Sequence, residues 1–338
     1  MNRLLPLALL LCPTLLFAEE ATPLRIMTFN VEILTAPGVR AGQLQKYRFD
    51  YARERHLDRA ANVIEVLNPD ILNLVEGTSR EVVDAIVARL HAKGLNEYTG
   101  YHIESNDSFT GMDVSLITKF PPQAVDGKQI RTYFSKDDDP IFRQAYRAPG
   151  YDGKPRNFSA SLSRNSSYFI EVAGYKLGFL GLHLKSNPSD EFSNAQRTAQ
   201  AKIVARILNG EVVRRGYLPV VLGDLNDYDP TVPDRDDTRD PVTDVLARIK
   251  DFDPDHEGDE LFNAAEFIPN KEDRYTSHWD WNENGADDPQ DVYTMIDHIL
   301  LPVELKPYVK RAFIAHVVNL ETSDHYPVVV DLELPAKP

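Results

Sequence analysis

Apolar residues along this chain recur in two periods, and the switches between the periods outline an alternation of helices and strands. Leu57, Ala60, Ala61, Ile64 and Leu67 keep the spacing of one helix face, and Asn68-Pro69 ends that pattern. Ile71 to Glu76 follows at once as a short apolar run, which reads as a buried strand. Ser79 is placed to cap a second helix with Val82, Ile86 and Leu90 on one face and Gly94 past its end. Met112–Thr118 reads as a strand, and residues 169–173 and 176–184 form a hairpin about Gly174. Ala195, Ala199, Ile203 and Ile207 share a face of a third helix over Ser193–Leu208, with Gly210 as its stop. Leu24–Asn30, Val220–Leu222, Ile296–Leu301, Phe313–Val318 and Val328–Leu332 supply the remaining strands.

Two stretches keep neither period. Tyr133–Arg164 is rich in Asp, Arg, Gly, Pro and Tyr and is expected to be a long irregular segment; no clear aromatic-tipped β-hairpin is read anywhere in the chain. Residues 227–240 carry Asp229, Asp234, Asp236, Asp237 and Asp240 between prolines. Long loops in enzymes are often functional, and Asp oxygens suit calcium. This loop lacks the glycine-centred spacing of an EF-hand, so a solvated acidic turn is the preferred reading.

The first residues change the picture of where the chain works. Arg3, the apolar run Leu4–Phe17 and Ala18 read as a signal peptide over 1–18, too short for a span of about 20 residues. Residues 22–335 then form a single domain, exported to the periplasm or the medium. Cys12, the only cysteine, leaves with the signal, so the mature chain has no disulfides. The formal charge is −15, and removing Arg3 without any acid leaves −16. Such a chain is a poor non-specific nucleic-acid binder, since that binding draws on Lys and Arg. An enzyme remains open.

The candidate chemistry lies where apolar strands end, which is where ligands collect in α/β sheets. Asn30 and Glu76 each end a run, and His183 follows Phe179-Leu180-Gly181-Leu182 with Lys185 on the same side. Asp224 and Asn226 follow Val220-Val221-Leu222-Gly223, two apart on an extended chain, so both side chains point one way. Asp297 and His298 open a strand, and Ser323-Asp324-His325 precede the last one. Each has a bland alternative: an Asx turn for Asp224-Leu225-Asn226, a salt bridge to an arginine for Glu76, a structural role for a lone His183. His298 points away from its neighbour and reads as a core histidine. His325 as a general base needs a carboxylate to orient its second nitrogen, and Asp297 is placed to do so. Buried acids without partners are costly, and a divalent metal is their natural partner. Acids and two histidines together suit hydrolysis of a phosphoester.

Taken in order, Thr28-Phe29-Asn30, Leu74-Val75-Glu76, His183, Gly-Asp-Leu-Asn at 223–226, Asp297-His298 and Ser-Asp-His at 323–325 resemble the endonuclease/exonuclease/phosphatase superfamily, from about residue 24 to 333. The resemblance implies a deoxyribonuclease I-like fold: a four-layer α/β sandwich of two mixed sheets with helices outside. It implies Glu76 as principal ligand of Mg²⁺ (Mn²⁺ or Ca²⁺ in its place), with Asn30 and Asp324 beside it. It implies His325 with Asp297 as base, Asp224 and Asn226 on water and phosphate, and His183 as the second histidine with Glu104 as its carboxylate partner. Arg164 matches a phosphate-contacting arginine, and Lys185, in a His-Leu-Lys-Ser like that of exported bacterial nucleases, is the second substrate-binding candidate. The subfamily looks most like exported bacterial nucleases, so nucleic acid is the first substrate class. A phospholipid, sphingomyelin or a small phosphoester is the alternative, and a non-catalytic binding protein on the same fold is the third reading. No protein partner is implied, and a monomer is expected.

Overall fold

The computed structural model describes residues 21–134, 141–236 and 243–337. The expected signal peptide with Cys12, and Asp237 and Asp240 of the acidic loop, lie outside the described residues. In chain order the elements are β1 (Thr22–Leu34), α1 (Asp50–Leu67), β2 (Ile71–Gly77), α2 (Arg80–Ala92), β3 (Thr99–Tyr101) and β4 (Asp113–Thr118). There follow β5 (Gln144–Pro149), β6 (Pro155–Ala160), β7 (Asn165–Val172), β8 (Tyr175–His183), α3 (Glu191–Ile207), β9 (Leu218–Asp224) and α4 (Val245–Lys250). The last are β10 (Leu261–Asn263), β11 (Ser277–Trp279), β12 (Val292–Thr294), β13 (Asp297–Pro302), β14 (Val309–Ile314) and β15 (Val328–Leu334).

Two mixed sheets result. One runs β14-β15-β1-β2-β4-β3 and the other β10-β13-β9-β8-β7, with β1–β2 and β8–β9 the parallel pairs. The alternation of side chains along a strand decides how the layers stack. In the second sheet Phe179, Val220, Leu222, Ile299 and Leu301 turn inward onto the first sheet. Leu180, Leu182, Val221 and Leu300 turn outward onto α3 and α4. Helices α1 and α2 cover the other face of the first sheet through Leu57, Ile64, Val82 and Ile86. This is the expected four-layer sandwich. Close approach of the sheets depends on Gly181, where a Cβ would stand 2.0 Å from Asn73 Oδ1.

Three expectations are corrected. Residues 133–164 contain a hairpin, because Tyr146 pairs with Phe158 across β5 and β6 and Phe158 packs edge-on against Phe192 of α3 at 5.0 Å. Its turn carries the exposed Tyr151, so an aromatic-tipped hairpin is present after all. Gly210 does not stop α3. A π turn over Leu208–Val212 and a 3-10 turn carry the chain on to Gly216, whose φ of 78° ends it. The strand expected at 313–318 is β14, shifted toward the N-terminus because Val309, Ala312 and Ile314 are the buried side chains and Val317 is exposed.

Candidate active site

The polar residues singled out at strand ends come together at one edge of the sandwich, drawn from both sheets. Parallel pairing sets His183 beside Asp224. Antiparallel pairing sets Asp297 on the other side of Asp224, since β13 begins where β9 ends. Asn30 and Glu76 arrive from the facing sheet, on neighbouring strands β1 and β2. His325 enters on the loop before β15, tied by a bridge to Ser277. Backbone strain marks the same places: φ is 67° at Glu76, 51° at Asn226, and 49° and 51° at Glu32 and Ile33. Gly223 has a φ of 131°, and a Cβ there would stand 2.1 Å from Leu182 O, so only glycine lets Asp224 turn into the site.

Asn30 Nδ2 donates to Glu76 Oε1 at 2.9 Å and to Asp224 Oδ2 at 3.2 Å, joining the carboxylates of the two sheets. Its oxygen accepts from Glu32 N at 3.0 Å, so Asn30 is fixed beside Glu76. Ile33 N donates to the other Glu76 oxygen at 2.9 Å. His183 Nε2 stands 3.7 Å from Glu76 and 3.6 Å from Asp224 and accepts from Arg164 Nη1 at 3.2 Å. Asn226 donates its backbone N–H to Asp224 at 2.9 Å and one side-chain N–H to Leu184 O at 3.3 Å. His325 Nδ1 donates to Asp297 Oδ2 at 2.7 Å, leaving Nε2 toward the cluster, 3.9 Å from Asp324. Asp324 itself is 46% exposed at the rim. Lys185 lies close by, its ammonium on Ser186.

The charges do not balance internally. Burial, then the Asp324 charge, raises the Glu76 carboxyl above its usual range. Burial, then Asp297, pushes Asp224 up to about 8. Burial and then Arg164 hold the His183 imidazole well below its usual value, so it is neutral. His325 is pulled down by burial, but Asp297 and Asp324 together raise it well above its usual value. Glu76, His183 and Asp224 place ligand atoms within 4.8 Å of one another, as do Asp224, Asp297 and His325. His183 Nδ1 and Asp297 Oδ1 are buried with no partner among the described residues. This donor set of carboxylates and imidazole fits a divalent cation.

Glu104 is the misplaced expectation. It stands 3.3 Å from His102, and the carboxylates against His183 are Glu76 and Asp224 instead. The cause is β4, whose Asp113 holds Ser105 N at 2.7 Å and whose Ser115 holds His102 at 3.0 Å. His298 is a satisfied core histidine, between Asp227 O and Asn263. In the described part of the acidic loop, Asp227 pairs with Arg197 and Asp229 with Lys250. Thr276 was not legible in the sequence; its hydroxyl accepts from Ile296 N and Asp297 N and so fixes the start of β13. Nor was Glu32, which accepts from Asp324 N and from Lys46. A glycine-centred Asp-x-Asn-x-Asn-Gly spacing does occur, at Asp280–Gly285, with Gly285 N on Asp280 at 2.6 Å and Asp288 and Asp291 following.

Comparison with known proteins bears on the fold and the family. No curated protein matches this chain in sequence. Among solved structures it is similar to an endonuclease/exonuclease/phosphatase family protein from Leptotrichia buccalis, with 18% identity, TM-score 0.56, and coverage of 92% of this chain and 100% of that one. It is also similar to the 3′ phosphatase NExo from Neisseria bound to product DNA hairpin (16%, TM-score 0.57, 92% and 99%). A third is an AP endonuclease from Archaeoglobus fulgidus (16%, TM-score 0.55, 91% and 98%). At these identities the likeness establishes the fold. Residues 27–325 match the Endonuclease/Exonuclease/phosphatase family as a whole, and the chain belongs to that family.

Proposed function

We propose that this chain is an exported, divalent-metal-dependent hydrolase that cleaves nucleic-acid phosphodiester bonds by in-line attack of water. The observation that carries the reading is the set of buried Glu76 and Asp224 carboxylates, facing one another from two sheets beside a neutral His183 and an oriented His325. Glu76 and Asp224 would hold the ion, with Asp324 at the rim, and Mg²⁺ suits such oxygen donors, as does Mn²⁺ or Ca²⁺. When bound, the cation supplies positive charge to the phosphoryl oxygens.

The chain's own groups divide the remaining work. Asp297 holds the His325 imidazole by Nδ1, so that Nε2 is aimed into the cluster. With the carboxylates that raise its proton affinity offset by a cation on Glu76 and Asp224, Nε2 is free to take the proton of an attacking water. Asn226 fixes Asp224 through its backbone N–H. Arg164 contributes a fixed guanidinium next to His183 for a phosphate oxygen, and Lys185 a second cation at the rim. Support for nucleic acid as substrate comes from the family and from two neighbours of the same fold, one bound to a product DNA hairpin and one, from D. rerio, complexed with single-strand DNA product. The signal-like first residues support export.

The test is purified protein with Mg²⁺, Mn²⁺ or Ca²⁺ against plasmid DNA, RNA, sphingomyelin and a small phosphodiester. Metal-dependent cleavage of DNA or RNA is the expected result. Turnover of the lipid or small ester alone would overturn the substrate and leave the chemistry standing; no turnover of any of them would overturn the hydrolase reading.

A further inference from the structure

Beside the active site, on the outer strands of the first sheet, stands a second group of donors that the hydrolytic chemistry does not use. His102, just past β3, turns Nδ1 onto Ser115 Oγ at 3.0 Å. Its Nε2 faces two carboxylates, Glu104 Oε1 at 3.3 Å and Asp113 Oδ2 at 3.6 Å. Asp113 is 1% exposed, one oxygen accepts from Ser105 N at 2.7 Å, and Oδ2 has no hydrogen-bond partner among the described residues. An imidazole nitrogen carries at most one proton. It can serve one of the two carboxylates, and the buried one is left without a compensating proton, which a protein interior penalises.

We infer that His102, Glu104 and Asp113 form a second divalent-cation site, separate from Glu76 and Asp224 and of the type that takes Zn²⁺ or Mn²⁺ through mixed nitrogen and oxygen donors. Zinc bonds to His and carboxylate of roughly 2.0–2.1 Å place neighbouring tetrahedral ligands about 3.4 Å apart. The two nitrogen–oxygen separations here, 3.3 and 3.6 Å, bracket that edge. Ser115 supplies the outer hydrogen bond that fixes a metal-bound imidazole, with Nδ1–H donating to its hydroxyl. Glu104 has a side chain 78% exposed, which gives the ion a way in. The open side faces a cleft of about 630 Å³ whose walls include Glu81, Asp107, Thr78 and Ser79, with Arg40 its one basic lining residue. Asp113 pairs with Gly77, the residue after Glu76, so the two centres stand on adjacent strands. A cation there would offset the acid-rich wall next to the place where Arg164 approaches Asp107 at 3.7 Å. The inference does not depend on the chain being a nuclease.

The test uses the full chain stripped with a chelator and titrated with Zn²⁺ and with Co²⁺. The double variant Glu76→Gln, Asp224→Asn silences the first cluster and serves as the background. One equivalent should remain bound in that background, with the visible absorption of four-coordinate Co²⁺. Adding Asp113→Asn, or Glu104→Gln at a position too exposed to affect folding, should weaken it by at least about tenfold. No bound equivalent in the background, or unchanged affinity in both added variants, would overturn the site.

Discussion

Asp224 ends β9 and Asp229 lies in the loop that follows; both are buried, and they are neutralised in opposite ways. Asp229 receives the Lys250 ammonium at 2.8 Å on both oxygens and Asn263 Nδ2 at 3.2 Å. Burial works to raise its carboxyl, but Lys250 holds it below the usual range. Asp227, between them, has the fully buried Arg197 at 2.9 Å. Asp224 has only amide donors, from Asn30 and Asn226, and is pushed up to about 8. The acids with a protein cation hold the loop to α3 and α4. Asp224 and Glu76 have no cation bonded to them, and the nearby His325 and Arg164 charges do not offset their burial, which leaves both for a charge from outside.

Neutral isosteres should therefore act in reverse on the two sets. Asp224→Asn or Glu76→Gln should lower metal-dependent hydrolysis by about a thousandfold or more, while thermal unfolding of the metal-free protein shows a midpoint equal to or above wild type. A drop in that midpoint would show that the carboxylate serves the fold. His325→Ala and Asp297→Ala should each cost a similar factor in kcat, and the double variant little more than either, because they act as one unit; additive losses would separate them. Asp229→Asn strands Lys250, and replacing Arg197 by Met strands Asp227. Each should cost about 3–5 kcal/mol in denaturant unfolding, with turnover per folded molecule kept.

A smaller effect concerns pH. His56, in α1, gives Nε2–H to Thr322 O at 2.6 Å beneath the loop of Asp324 and His325. Burial lowers its imidazole to about 4. The unfolded chain binds this proton at about 6.5, so between about 6.5 and 4 the unfolded state is the more protonated one, and stability falls as pH falls through that window. The total is about 3 kcal/mol. Urea midpoints should show this acid limb in wild type and a flatter one in His56→Gln.

Much of the layered fold was legible because its signals are local: apolar periods, Asn68-Pro69, and the hairpin about Gly174. The site was legible in outline because a polar residue ending an apolar run needs a partner wherever the chain takes it. Glu104 was not, since its direction is set by Ser105 and His102 bonding to β4, which no short window of sequence contains. The β5–β6 hairpin was hidden for a related reason. Half of the residues in its strands are exposed, the strands are bounded by Pro149 and Pro155, and the Tyr146–Phe158 pair exists only once the two segments meet Phe192. Thr276 gives no signal at all until β13 lies against it.

The most direct test of the uncompensated acids is the rate of DNA cleavage against Mg²⁺ or Mn²⁺ concentration, measured for wild type and Glu76→Gln from metal-free protein. Wild type should rise from no cleavage to a plateau and lose it with EDTA, and Glu76→Gln should stay near the baseline. Cleavage that persists in EDTA, or a Glu76→Gln curve that matches wild type, would contradict the assignment of an external cation to this cluster.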